Sequence, residues 1–292
     1  MLPLKIGKQT LAWGTRTYVM GILNLTPDSF SGDGLLTAST GQDAAMDQAR
    51  RFIESGVDIL DVGGESTRPG SQPVDAQTEC QRVIPIIQQI ASEFPEMLIS
   101  VDTYKASVAE EALQAGARIV NDVWSLRADP DLVRVVARYK APIILMHNRS
   151  KPANADVQAN LGGRYIGMQY TNLLEDVKNE LLESVDLALA AGIPSGNIIL
   201  DPGIGFGKTV EQNLELLNRL GEVRQLGYPV LLGPSRKSFI GYTLDMPPDQ
   251  RLEGTAAAVS VGIVRGADII RVHDVEFMSR VARMTDAIIG KH

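Results

Sequence analysis

Eight times along the chain a short apolar run rich in Ile, Val and Leu ends on a polar residue able to grip a ligand, and helix-like sequence separates nearly every pair. The runs are 17–24, 57–61, 97–102, 118–122, 142–147, 197–201, 228–235 and 268–273. Strands buried on both faces read as near-continuous hydrophobic runs, so the pattern predicts an α/β fold of the TIM (β/α)8 barrel type. Such a barrel gathers its working side chains at the carboxyl ends of the strands. Asn24, Asp61, Asp102, Asn121, His147, Asp201, Lys237, Arg271 and His273 are therefore expected around one mouth. Helical periodicity covers 42–55, 76–93, 105–115, 130–139, 164–191, 210–220, 236–243, 252–265 and 275–289. Several of these end at a glycine, namely Gly56, Gly116, Gly192 and Gly266, as a left-handed cap requires. Segments 4–6 and 10–13, joined by Gly7-Lys8-Gln9, read as an N-terminal β-hairpin that closes the bottom of the barrel.

Length changes the picture only slightly. At 292 residues the chain exceeds the roughly 250 of a single barrel by little, which predicts one domain over 1–292, with the hairpin in 1–16 and the barrel in 17–292. Hydrophobic residues make up 44 % and charged residues 22 %, enough for a large core in a folded chain. The net charge of −7 comes with no basic run, so no nucleic-acid footprint is expected, and an anionic ligand must be held by a local cluster. Cys80 has no cysteine to pair with, Met1 to Trp13 lack the apolar core of a signal peptide, and apolar stretches such as 256–264 fall short of the roughly 18 residues of a membrane span. These features predict a cytoplasmic protein. The long irregular stretches are 26–41, 63–75 and 148–163. The first two lie on the presumed active face, and their glycines, with Phe30, Thr67 and Arg68, suggest lids.

The loops carry the most specific chemistry. Asp201-Pro202-Gly203-Ile204-Gly205-Phe206-Gly207-Lys208-Thr209 invites a phosphate-loop reading, but a Walker loop needs four residues between its first glycine and the Gly-Lys pair, and Gly203 and Gly207 enclose three. Asp201, pinned by Pro202 and a glycine turn at a strand end, suits two parallel hydrogen bonds from a planar guanidine-like group. Positive charge gathers in Ser235-Arg236-Lys237-Ser238 and Arg271-Val272-His273. Barrels often bind phosphate at strands 7 and 8, and alternation puts Arg271 and His273 on one face. Asp61 and Glu65 read as carboxylates that hydrogen-bond loop backbone, and His147 as part of the pocket wall. Three histidines and one cysteine give no credible structural zinc site.

In order along 18–275, the segments Val19-Met20-Gly21-Ile22-Leu23-Asn24-Leu25-Thr26-Pro27-Asp28-Ser29-Phe30-Ser31, Asp61-Val62-Gly63-Gly64-Glu65-Ser66-Thr67-Arg68-Pro69-Gly70, Ser100-Val101-Asp102-Thr103, Asn121-Asp122, Asp201-Pro202-Gly203, Ser235-Arg236-Lys237-Ser238 and Arg271-Val272-His273 resemble the dihydropteroate synthase family. One departure is Ser31-Gly32-Asp33-Gly34, where the family often has Ser-Asp-Gly-Gly. The resemblance implies a transferase that joins a dihydropterin-methyl diphosphate to 4-aminobenzoate on the route to folate, acting as a homodimer. It implies that Asp102, Asn121 and Asp201 hold the pterin, that Lys237 borders both substrates, and that Thr67, Ser238 and Val272 add substrate contacts. Arg68, Arg271 and His273 would answer the diphosphate, with Asn24 touching a magnesium ion (Mg2+) held mostly by phosphate and water. Two other readings share the pocket: a barrel that passes a methyl group from reduced folate to a corrinoid partner, and a non-catalytic pterin-binding homologue. The first of these has no need of the cations at strands 7 and 8, and release of pyrophosphate separates all three.

Overall fold

The computed structural model describes residues 1–26, 38–66, 71–158, 160–166 and 168–291. Eight parallel strands follow one another around a barrel in chain order: β3 (Tyr18–Asn24), β4 (Ile59–Gly63), β5 (Leu98–Asp102), β6 (Ile119–Asp122), β7 (Ile143–Met146), β10 (Ile198–Asp201), β11 (Leu231–Leu232) and β12 (Ile269–Val272). A parallel bridge between Leu200 and Val230 joins β10 to β11 and closes the ring. Between the strands run α1 (Ala38–Glu54), α2 (Ala76–Glu93), α3 (Ala106–Ala115), α4 (Leu132–Tyr139), α5 (Leu173–Ala190), the pair α6 (Val210–Asn218) and α7 (Leu220–Arg224), α8 (Ser238–Leu244) and α9 (Leu252–Val264). The last helix, α10 (Val275–Ile288), follows β12.

Alternation along each strand sorts the apolar residues into two separate cores. Val19, Leu60, Ile99, Val120, Leu145, Leu200, Leu232 and Ile270 face outward and pack with the helices. Met20, Ile59, Leu98, Ile119, Ile144, Ile199, Leu231 and Ile269 face inward and form the floor of the barrel. Their neighbours one residue away point to the other side, as a period of two demands. The floor is sealed by the antiparallel hairpin of β1 (Leu4–Ile6) and β2 (Gln9–Leu11), whose Leu4, Ile6 and Leu11 join the inner core. Sealing by this hairpin agrees with the sequence expectation, and so do the glycine stops: Gly56, Gly116, Gly192 and Gly266 all have left-handed φ.

Two expectations need correction. The helix expected over 164–191 starts at Leu173, where the Asn172 side chain accepts from the Glu175 amide. The preceding stretch instead carries a hairpin of β8 (Ala155–Gln158) and β9 (Gly162–Tyr165), whose alternating Arg164 and Tyr165 were absorbed into the helical period. The seventh strand was expected over 228–235 but pairs with β12 only at Leu231–Leu232, with a single bridge from Val230 to β10, because Pro229 and Pro234 lack amide protons for a ladder.

Candidate active site

Two residues above the apolar floor the interior turns polar. On the inward positions stand Asp61 of β4, Ser100 of β5, Asn121 of β6, Asp201 of β10 and Arg271 of β12. One layer higher come Asn24, Gly63 and Asp102, each paired with the next across β3, β4 and β5. A Cβ at Gly63 would stand 3.4 Å from the Asp102 Cβ and 3.7 Å from the Asn24 Oδ1, so the bare glycine leaves these two side chains room to flank it.

Arg271 organises the layer. Its Nε donates to Asp61 Oδ2 at 2.6 Å and its Nη2 to Asp102 Oδ2 at 2.5 Å, while Asn121 Nδ2 donates to the same Asp61 oxygen at 3.0 Å. Asp61 is fully buried, and its bonds go to side chains of the pocket. The expectation that it serves loop backbone is overturned, because β4 turns it inward. Glu65 partly meets that expectation: it accepts the Val74 amide at 3.1 Å, but it also binds Tyr104 Oη at 3.1 Å and Lys105 Nζ at 2.5 Å. Burial opposes the Arg271 charge, yet Asp61 and Asp102 outweigh it and hold the guanidinium above its ordinary range. Burial pushes the Asp102 carboxyl up to about 7 against the pull of Arg271. Burial likewise raises Asp201, opposed first by the Gly203 amide, which donates to Asp201 Oδ1 at 2.7 Å.

The cations expected to await an anion are engaged within the chain. Arg236 pairs with Asp274 at 2.5 Å. Lys237 Nζ stands 3.9 Å from the centre of the Phe206 ring, a cation–π contact. His273 Nδ1 lies 3.0 Å from Ser235 Oγ, which also accepts the His273 amide. Ser238 opens α8 and is half-buried. Val272 is buried in the outer core, so its side chain turns away from the mouth, and only its backbone is open to the contact the sequence suggested. Thr67, Arg68 and Phe30, and most of the 26–41 stretch expected to form a lid, lie outside the described residues.

The glycine loop after β10 is where sequence reasoning missed most. Lys208 is buried, with its Nζ bonded to the Gly203 carbonyl at 2.9 Å, the Phe206 carbonyl at 3.0 Å and His147 Nδ1 at 2.9 Å. Burial draws this lysine down to about 7, while Asp201 pulls the other way. His147 Nε2 faces Glu180 Oε2 at 3.2 Å. A lysine that donates to Nδ1 fixes the proton on Nε2, so His147 is neutral; burial, then the Lys208 charge, holds it down at about 3. Such a group stabilises the fold fully above its unfolded value near 6.5 and loses that stability as the pH falls toward 3, because only the unfolded imidazole takes up a proton. Between pH 6.5 and 4.5 the parent is expected to lose about 2–3 kcal/mol relative to His147→Asn. Urea unfolding at both pH values measures this, and parallel curves would refute it.

Among the described residues no helix is long and apolar enough to cross a membrane. The chain matches the model of the family described as pterin binding enzyme over residues 20–273. It is 48 % identical over 289 residues to a dihydropteroate synthase of Clostridium beijerinckii, covering 99 % of this chain and 100 % of that one. Among solved structures, a dihydropteroate synthase from Clostridium difficile in the presence of pteroic acid superposes with a TM-score of 0.84 at 47 % identity, over 94 % of this chain and 98 % of that one. One from Xanthomonas albilineans with 4-aminobenzoic acid gives 0.85 at 38 % identity, over 96 % and 95 %.

Proposed function

Because the chain belongs to the dihydropteroate synthase family of pterin-binding enzymes, we infer from its pocket which residues carry the family's reaction. The protein is a transferase of folate biosynthesis that condenses (7,8-dihydropterin-6-yl)methyl diphosphate with 4-aminobenzoate to give 7,8-dihydropteroate and diphosphate. In the proposed assignment, Asp201 and Asn121 match the donors and acceptors along the pterin edge, with Asp102 and Lys237 beside the ring. Arg271 and His273 stabilise the departing diphosphate, with Arg68 and Thr67 contributing from the second lid. Lys237, Ser238 and the Phe206 ring border the aminobenzoate. The observation that carries this reading is Arg271 held by Asp61 and Asp102, with Asn121 on the same Asp61 oxygen, directly above an apolar floor.

The chemistry asks little covalent work of the protein. The C–O bond to the diphosphate breaks with its electron pair leaving on oxygen, the aminobenzoate nitrogen forms a bond to the methylene carbon, and that nitrogen releases a proton. Positive charge grows at the methylene as the bond breaks, so fixed carboxylates on one side and cations around the leaving group lower the barrier by positioning and electrostatics. Magnesium fits the donor set: Asn24 offers a hard amide oxygen next to Asp102, and the ion takes most of its ligands from phosphate and water. When bound, it supplies neutralisation of the leaving diphosphate, with Asn24 as the protein ligand. Pyrophosphate release from the two substrates tests the assignment as a whole. Asp201→Asn is expected to weaken binding of a pterin alone by about 1.5–3 kcal/mol, since a donor replaces an acceptor facing a donor. Unchanged affinity by calorimetry would remove Asp201 as the anchor.

The same reading takes residues 1–292 as one pterin-binding domain that works in the cytoplasm as a homodimer. Support for the dimer comes from the neighbouring helices α9 and α10, which leave Val264, Met284 and Ile288 57 %, 64 % and 70 % exposed. Apolar side chains this open on adjacent helices suit burial against a second copy. Sedimentation of Val264→Glu should show a shift toward monomer, and an unchanged mass would count against this face.

A further inference from the structure

A Walker loop turns backbone amides inward onto an anion. The loop over 201–209 does the reverse. Gly203 and Gly207 have φ of +69° and +61°, and a Cβ at either would collide with backbone, the His147 carbonyl for Gly203 and Arg149 and Ser150 for Gly207. These turns bring the Gly203 and Phe206 carbonyls onto the Lys208 ammonium, and His147 Nδ1 completes the set. Three donors thus meet three acceptors, and the loop closes around a cation of its own chain. Other polar groups of the loop are tied down as well. Asn213 Oδ1 accepts the Gly205 amide at 2.6 Å, the Tyr170 hydroxyl donates to the Gly207 carbonyl at 2.9 Å, and Thr209 caps α6 with Gln212 in a reciprocal box. Behind His147 stands Glu180, itself bonded to Arg149.

Two residues of this loop are the ones assigned above to the two substrates. Asp201 begins it, bonded to the Gly203 amide. Phe206 lies between two lysines: its carbonyl bonds Lys208 and its ring carries Lys237. We propose that Lys208 is a positioning residue for both subsites, its ammonium tying the 201–209 loop into the conformation that presents Asp201 to the pterin and the Phe206 ring, with Lys237 on it, to the aminobenzoate. The inference rests on the reading of Asp201 as the pterin anchor. Lys208 is completely covered by protein and meets neither substrate, so its effect is carried by the carbonyls it holds.

The test is Lys208→Met in the full chain, which keeps the length of the side chain and removes the charge. Calorimetry with a 6-hydroxymethyl dihydropterin gives the pterin Kd, and steady-state pyrophosphate release gives the aminobenzoate KM and kcat. Both constants are expected to rise at least tenfold while kcat falls by less than either, a split that general loosening of the fold would not produce. Trp124 packs against the small cluster of Val123, Met146 and Phe206, and in a Trp13→Phe background it is the single tryptophan; its emission should shift in Lys208→Met. Both constants within twofold of the parent would overturn the proposal. Asp201→Asn, measured alongside, separates the causes: if it weakens pterin binding while Lys208→Met does not, only the positioning role falls, and if neither does, the anchor reading falls with it. Should Lys208→Met not fold, His147→Leu and His147→Asn decide. Leucine removes the acceptor and should raise both constants at least fivefold, whereas asparagine returns an acceptor and should recover most of that rise. Equal behaviour of the two would overturn the proposal.

Discussion

Arg271→Met is expected to cost about 3–5 kcal/mol of folding stability and to abolish turnover, the largest effect of any single change in the pocket. The fold carries Asp61 with no exposure and Asp102 nearly covered, and the same guanidinium pairs with both. Removing it leaves two carboxylates with little exposure on the neighbouring strands β4 and β5, where the protein can recover only by protonating one of them or letting water in. On sequence alone Arg271 serves the diphosphate and its loss leaves the ring contacts alone. Its bonds to Asp61 and Asp102 change that expectation, and a pterin without a diphosphate should bind less well too. Urea unfolding followed by circular dichroism, together with calorimetry on the bare pterin, checks both parts. A variant as stable as the parent would mean that the two carboxylates find other partners.

Lys105→Met should destabilise by a similar amount, about 3–5 kcal/mol, although it lies beside the mouth rather than in it. Lys105 Nζ sits 2.5 Å from Glu65 Oε2 and 2.5 Å from Glu79 Oε2. Glu79 is 1 % exposed, and burial raises its carboxyl above the ordinary range. Glu65 in turn holds the Val74 amide and the Tyr104 hydroxyl, so loss of the lysine also loosens the hold on Val74 ahead of α2. Thermal unfolding of Lys105→Met and of the double change Lys105→Met with Glu79→Leu tests the cause. The double variant should regain part of the loss, and equal stability of single and double variants would refute the buried-charge explanation.

These two ion pairs mark where the sequence stops being legible. Hydrophobic period and strand-end polarity located all eight barrel strands and the hairpin, because those signals are local and repeat. Asp61 and Arg271 are 210 positions apart, and nothing within either segment says that they meet. Glu79, an acidic residue in the first turn of α2, reads as a solvated helix start, yet it is buried because α2 turns it toward Lys105. Lys208 was visible as part of a glycine motif whose spacing departs from that of a Walker loop. The direction in which successive glycines turn their carbonyls is a matter of φ, which residue names do not carry. Helix boundaries failed where tertiary context won: 164–172 has helical composition in places, but the 155–165 hairpin and the Asn172 cap set the start of α5.

The hairpin under the barrel has a consequence for traffic. A vessel stoppered at its base by Leu4, Ile6 and Leu11 opens, among the described residues, at its other end, so molecules that share that opening must queue. With the pterin assigned to the layer of Asn121 and Asp201, and the aminobenzoate to the rim formed by Phe206, Lys237 and Ser238, the guest with the deeper seat has to enter first. Whatever then remains at the rim blocks the way out for what lies beneath it.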